Sequence, residues 1–213
     1  MDSPALLDPD ATLVRSAFDG LEIDDRTHDD AEPPRPPTGR SLDPDEMLLY
    51  PEFEKCELID GIPVEKDVSN KAEALAGELQ WRLSTHCRPG RVARVFNSNI
   101  GYCCFPHRPR LVRKPDVSVV LAGRFPNDEL PEGWYDLAPD IAVEVHSPTD
   151  RAEGVEERVS DYRQAGVKLV WLISPRWRTA VVRRLDGTAT EVTTLSGDDV
   201  LPGFNCPVAE LFV

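Results

Sequence analysis

The chain has no apolar run near the roughly 20 residues that a membrane-spanning helix needs, which excludes that class. Its opening residues, MDSPALLDPDATL, carry no basic start and no apolar stretch, so a secretory leader is not expected. It has no CxxC pair. The five cysteines, Cys56, Cys87, Cys103, Cys104 and Cys206, are an odd number without metal-ligand spacing. That argues against a zinc site or a disulfide framework and for reduced thiols in the cytoplasm. Positive charge is also scarce: 24 Lys and Arg face 38 Asp and Glu, a net charge of −14 over 213 residues. Taken whole, that balance argues against a polyanionic partner.

The distribution of charge reverses part of that conclusion. Residues 1–60 hold 17 acidic and 5 basic side chains, whereas residues 61–213 are close to balanced, with 21 and 19. From Arg82 to Lys114 there are eight basic residues (Arg82, Arg88, Arg91, Arg94, Arg108, Arg110, Arg113 and Lys114) and no acidic one. Such a zone lines either a phosphate-binding surface or an ordinary solvated face.

Residues 1–40 combine acidic runs (EIDDRTHDDAE) with PPRPP and few large apolar side chains, so they read as a disordered tail. The folded domain is expected over 41–213. SLDPDEMLLY reads as a short helix capped by Ser41 or Asp43. KCELIDGIPVEK reads as a β-hairpin around Asp60-Gly61. Ser69 caps a helix to about Cys87, with Ala72, Leu75, Ala76, Leu79 and Leu83 on one stripe. Strands are expected at 91–97, 99–105, KPDVSVVLA, DIAVEVHS and VKLVWLIS, with a loop at 122–138. RAEGVEERVSDYRQAG is a further helix, and TAVVRRLDGTATEVTTL a second Asp-Gly hairpin. Trp81 and Trp171 read as core residues, and Trp134 as partly exposed. Strands surrounding two helices predict an α/β domain with a sheet of mixed direction.

Glu144 interrupts the apolar run IAVEV. A carboxylate there is costly to bury without compensation, from a cation or from a partner such as Arg158. Asp116 opens the strand of KPDVSVV, and Glu57 lies in the first hairpin. A Pro-Asp on one strand and a mid-strand Glu on its neighbour can converge on one point. Carboxylates converging beside a basic surface make an oxygen-ligand site for magnesium or manganese, to which the Val145 carbonyl could add. Such an ion serves phosphodiester cleavage.

These pieces, in their order (CELIDGIPVEK, KPDVSVV, PDIAVEVHSP, DYRQAGVKLVWLISP and VVRRLDG), resemble the Uma-two family of the PD-(D/E)xK nuclease superfamily over roughly residues 43–213. The resemblance implies a restriction-endonuclease-like fold, a mixed sheet flanked by helices with the acidic residues at one end of it; the two Asp-Gly signals add β-hairpins at the start and end of the domain. It implies a divalent-metal-dependent endonuclease acting on DNA. Asp116 and Glu144 match the metal pair, and Glu57 the acid of the opening segment. The superfamily lysine two residues after the second acid is His146 here. The family's alternative lysine, four residues before the tyrosine of YxxAGV, is Arg158, one helical turn from Tyr162. Arginine holds phosphate but stays protonated, so it cannot act as a base. A histidine that many relatives carry at the start of the first long helix is Lys71 or Ala72 here. In this reading Asp116, Glu144, Arg158 and Glu57 are catalytic, and Arg108, Arg110, Arg113 and Lys114 contact the nucleic-acid backbone. The alternative is a catalytically impaired relative that binds nucleic acid or a protein without cutting, its acidic tail folding over the basic face. A homodimer is compatible with either.

Overall fold

The computed structural model describes residues 39–66, 69–146 and 150–212, all within one unit, Pro33–Val213. The acidic tail lies outside the described residues. After a short helix α1 (Pro44–Met47), the expected hairpin forms from β1 (Cys56–Ile59) and β2 (Ile62–Glu65). Asp60 and Gly61 both have positive φ, the two-residue turn that fits the twist of the flanking strands. Helix α2 (Asn70–Cys87) starts at Ser69, whose hydroxyl accepts the Ala72 amide at 3.2 Å. Then come β3 (Ala93–Asn97), β4 (Val117–Leu121), β5 (Ile141–Val145), α3 (Ala152–Gln164), β6 (Leu169–Ser174), β7 (Thr179–Arg184) and β8 (Ala189–Val192). β9 (Thr194–Ser196) and β10 (Asn205–Pro207) form a small ribbon before a closing 3₁₀ turn.

β3 to β8 make one six-stranded sheet in sequence order. Only β5 and β6 are parallel, and α3 is the crossover between them; all other pairs are antiparallel. Both faces are covered, which explains the near-continuous apolar runs of the central strands. Odd-numbered residues of β4 and β5 (Val117, Val119, Ile141, Val143) face α2 through Leu75, Leu79 and Leu83. Even-numbered ones (Val120, Ala142) face α3 through Val155, Val159 and Tyr162. Each fully buried leucine of that α2 stripe contributes about 1.5–3 kcal/mol. Among the described residues, no helix is long and apolar enough to cross a membrane.

Two expectations are corrected, and a third, the cap of α1, holds in position only. Residues 99–105 form no strand; only Tyr102 bridges, to Arg113 and Tyr135, and the segment packs irregularly over the α3 face. Trp81 is 62 % exposed, because it falls off the α2 stripe that meets the sheet. Asp43 occupies the cap position of α1, yet its side chain makes no cap and goes to Arg110 instead, 2.9 Å away. Trp171 is core, as expected, and Trp134 is half-buried, its indole donating to the Pro44 carbonyl at 2.6 Å.

Candidate active site

The antiparallel register of β4 and β5 sets Val117 against Val143, so one residue further Asp116 stands opposite Glu144. Both side chains point to the α3 face and both residues are buried. The Asp116 amide donates to the Val143 carbonyl at 2.9 Å, and Asp116 Oδ2 accepts the Val145 amide at 2.6 Å. Glu144 Oε1 accepts the hydroxyl of Tyr162, from α3, at 2.6 Å. Burial holds that phenol far above its ordinary pKa, so it remains a donor. Each carboxylate thus spends one oxygen on a fixed donor and turns the other to a shared point.

That point is occupied by Lys66. Its Nζ lies 2.8 Å from Asp116 Oδ1 and 3.4 Å from Glu144 Oε2, and donates to the Lys114 carbonyl at 2.7 Å. Burial opposes its charge, but Glu144 and Asp116 outweigh that and raise its pKa, so it is an ammonium at neutral pH. Burial, with the neighbouring Glu144 charge, raises the Asp116 carboxyl above its usual range despite the ammonium. Like charges directly opposite in a ladder repel, and Lys66 is what makes this pair tolerable.

Lys66 escaped the sequence reading because it follows the first hairpin, 50 residues before Asp116. One signal was present. Glu57 pairs with Val64 across the hairpin, so strand alternation puts residue 66 on the Glu57 face. The hairpin is held to the approach of β4 by reciprocal backbone bonds between Leu58 and Val112, at 3.1 and 2.8 Å.

Glu57 itself is committed. Its two oxygens accept the Lys114 amide and Arg113 Nη1, at 2.8 and 2.9 Å. Arg113 also holds Asp161, from α3, at 2.6 Å, and all three of these side chains are buried. Arg108 joins the same network through Asp60, Glu157 and Asp161. Lys114 is buried against Trp134, its ammonium 5.2 Å from the ring centroid and bonded to the Glu54 carbonyl. Burial removes two residues, Arg113 and Lys114, from the expected nucleic-acid surface. Arg113 and Lys114 are 4 % exposed and cannot reach a polynucleotide, and Arg108 is consumed by three carboxylates. Arg110 is exposed but paired with Asp43. Arg108 and Arg113 become, in three dimensions, counter-ions to Asp60, Glu57, Glu157 and Asp161, while Arg88 and Arg91 stay exposed.

Arg158 does reach the site. Its Nε lies 3.8 Å from Glu144 Oε2, too long for a hydrogen bond, and Nη2 holds Asp150 at 3.1 Å. Nε is buried without a hydrogen-bond partner, an incomplete donor facing the carboxylates. His146 shares the Glu144 face but lines the neighbouring cavity, and burial keeps its imidazole below the ordinary pKa, hence neutral. Glu57, Lys66, Asp116, Glu144, Val145 and Arg158 all line one pocket of about 290 Å³.

The donor set bears on a metal. Among the described residues, no group of three or more His, Cys, Asp or Glu side chains could hold an ion. Two carboxylate oxygens converge on a position already filled by a cation. That fits magnesium or manganese, which uses one or two carboxylates and keeps several waters, provided the ammonium yields.

The family model Uma2, described as "Putative restriction endonuclease", matches residues 44–209. Among curated proteins, none matches the chain. The fold is similar to a solved structure from Anabaena variabilis described as a "putative nuclease belonging to DUF820". The two share 24 % identity with a TM-score of 0.68, over 80 % of this chain and 97 % of the other.

Proposed function

The chain belongs to the Uma2 family of restriction-endonuclease type, and from that premise we propose that it is a divalent-metal-dependent endonuclease that hydrolyses phosphodiester bonds in DNA. The observation that carries this reading is the meeting of Asp116, Glu144 and Lys66 at one point, with Lys66 2.8 and 3.4 Å from the two acids. An acid pair and a lysine are the side chains such chemistry needs, although here the lysine comes from the first hairpin.

Asp116 Oδ1 and Glu144 Oε2, with the Val145 carbonyl, would hold magnesium or manganese, which supplies Lewis acidity toward the phosphate and an activated water. Tyr162 and the Val145 amide keep the two carboxylates aimed. Lys66 stays protonated, so it does not take a proton from water. Displaced by a few ångströms, its charge stabilises negative charge on the phosphate. Arg158, with an unsatisfied Nε beside Glu144, holds a phosphate oxygen. Glu57 is a positioning residue: it fixes Arg113 and the Lys114 amide, and through them the carbonyl that Lys66 grips. The cytoplasm is the compartment that suits this activity and the free thiols.

The test is cleavage of supercoiled plasmid and single-stranded DNA with magnesium or manganese, for wild type, Glu144→Ala and a chelator control. Metal-dependent cutting that both controls abolish supports the reading. Folded wild type that cuts neither substrate refutes it and favours the second reading, a non-cleaving binder. The observation behind that alternative is the ammonium already seated between the acids.

A further inference from the structure

Arg113 and Lys114 are buried and offer nucleic acid no surface, whereas the turn between β6 and β7 is suited to holding it. Residues 175–178, Pro-Arg-Trp-Arg, join Ser174 to its register partner Thr179. Trp177 stands 70 % exposed, and the Arg176 guanidinium lies 4.9 Å from its ring centroid. The turn is braced. Arg178, at positive φ, donates to the Phe212 carbonyl at 3.1 Å and stacks over the Phe212 ring.

Trp177 and Arg176 form the rim of a cavity of about 780 Å³, larger than the carboxylate pocket and adjoining it at Asp150. Its floor includes Leu172, the cross-strand partner of Glu144. Its acids are already answered, Asp150 by Arg158 and Glu156 by Arg183. Lys71 and Arg176 meet no carboxylate among the described residues, so the rim carries the uncompensated positive charge. An exposed indole beside free cations is the combination that binds unpaired nucleotides: the ring stacks on a base and the cations follow the backbone.

We propose that the Arg176–Trp177 turn is a stacking platform for an unpaired base, and that the strand runs from it past Asp150 to the Glu144 pocket. The preferred substrate is then nucleic acid with a single-stranded segment beside the cleaved bond. This rests on the nuclease reading for the cleaved bond, but not for the binding surface.

The test is fluorescence anisotropy of a labelled single-stranded oligonucleotide and the matching duplex, in EDTA so that nothing is cut. Trp177→Ala should weaken single-strand binding by about fivefold or more, with duplex binding changed less than twofold. Trp177→Phe should retain most of the affinity. Trp81→Ala, at the other strongly exposed tryptophan on α2, should have no effect. Arg176→Ala should lower the salt slope by about one. Unchanged single-strand affinity in Trp177→Ala, or equal losses for both oligonucleotides, overturns the platform. So does heparin binding as tightly as the single strand. Trp177-dependent binding without any metal-dependent cutting would keep the platform and remove the nuclease reading. Cutting with Trp177-independent binding would do the reverse.

Discussion

Replacing Lys66 by methionine keeps most of the side-chain volume and removes the one ammonium between Asp116 and Glu144. At separations of 2.8 and 3.4 Å, each attraction is about 5–6 kcal/mol before desolvation, at an effective dielectric near 20. Desolvation offsets much of this, and removing one partner of a buried pair costs about 3–5 kcal/mol net. Proton uptake limits the cost. Asp116 is already above the usual carboxylate range, and without Lys66 it would rise further. A loss of about 3 kcal/mol at pH 7 is therefore expected. The folded variant holds a proton that the unfolded chain has released. That contribution is fully present below the unfolded pKa of about 3.9 and is lost as pH rises through the folded value. The deficit should accordingly shrink as pH falls from 7 toward that unfolded value. Manganese should also restore the variant, by about 2.7 kcal/mol at one hundred times its dissociation constant, and more than it helps wild type, where it competes with the ammonium. Urea unfolding of both proteins, in EDTA and in manganese, measures all of this. A variant as stable as wild type in EDTA at pH 7, or one that manganese does not stabilise, would refute the idea that Lys66 serves as the resident counter-ion.

Another buried anion, Asp140, offers an independent check, and a crowded glycine a further one. Asp140 is fully buried and bonded to the Leu121 amide, Lys168 and Arg124 at 2.9, 2.8 and 2.9 Å. Burial opposes its charge, but those donors prevail and lower its pKa. Asp140→Ala should cost about 3 kcal/mol at pH 7, and its difference from wild type should shrink below about pH 4, since this stability is lost as pH falls through the folded pKa. A pH series of urea midpoints reads this out. Gly101 packs so closely under Trp134 that a Cβ would lie 2.5 Å from the ring. Gly101→Ala should therefore cost about 1–3 kcal/mol in thermal unfolding and displace Trp134 from Lys114, visible as a change in tryptophan emission.

The elements were legible because their signals are local. Two Asp-Gly turns between apolar runs specify hairpins, Ser69 caps α2, and the leucine stripe orients it. The Asp116–Glu144 pair was legible for a related reason: two short β-branched runs, each carrying one acid, align when neighbouring strands bury their apolar positions in register. Trp81 lies off the α2 stripe that the sequence itself shows, so its exposure was legible there, whereas nothing local in residues 99–105 reveals which neighbours they pack against.

The amino-acid sequence by itself determined the α/β class, the two hairpins, the helix stripes and the two acids that face each other. Tertiary structure alone decided which charges meet. Lys66 reaches the acids because β1–β2 docks beside the approach to β4, and no periodicity links residue 66 to residues 116 and 144. The run ending at Arg113 and Lys114 looked like a surface because its partners, Glu57 and Asp161, lie 56 and 48 residues away in the chain. Local patterning follows from backbone geometry over a few residues. Charge pairing acts through space, so its partners become known only when the chain has been brought together.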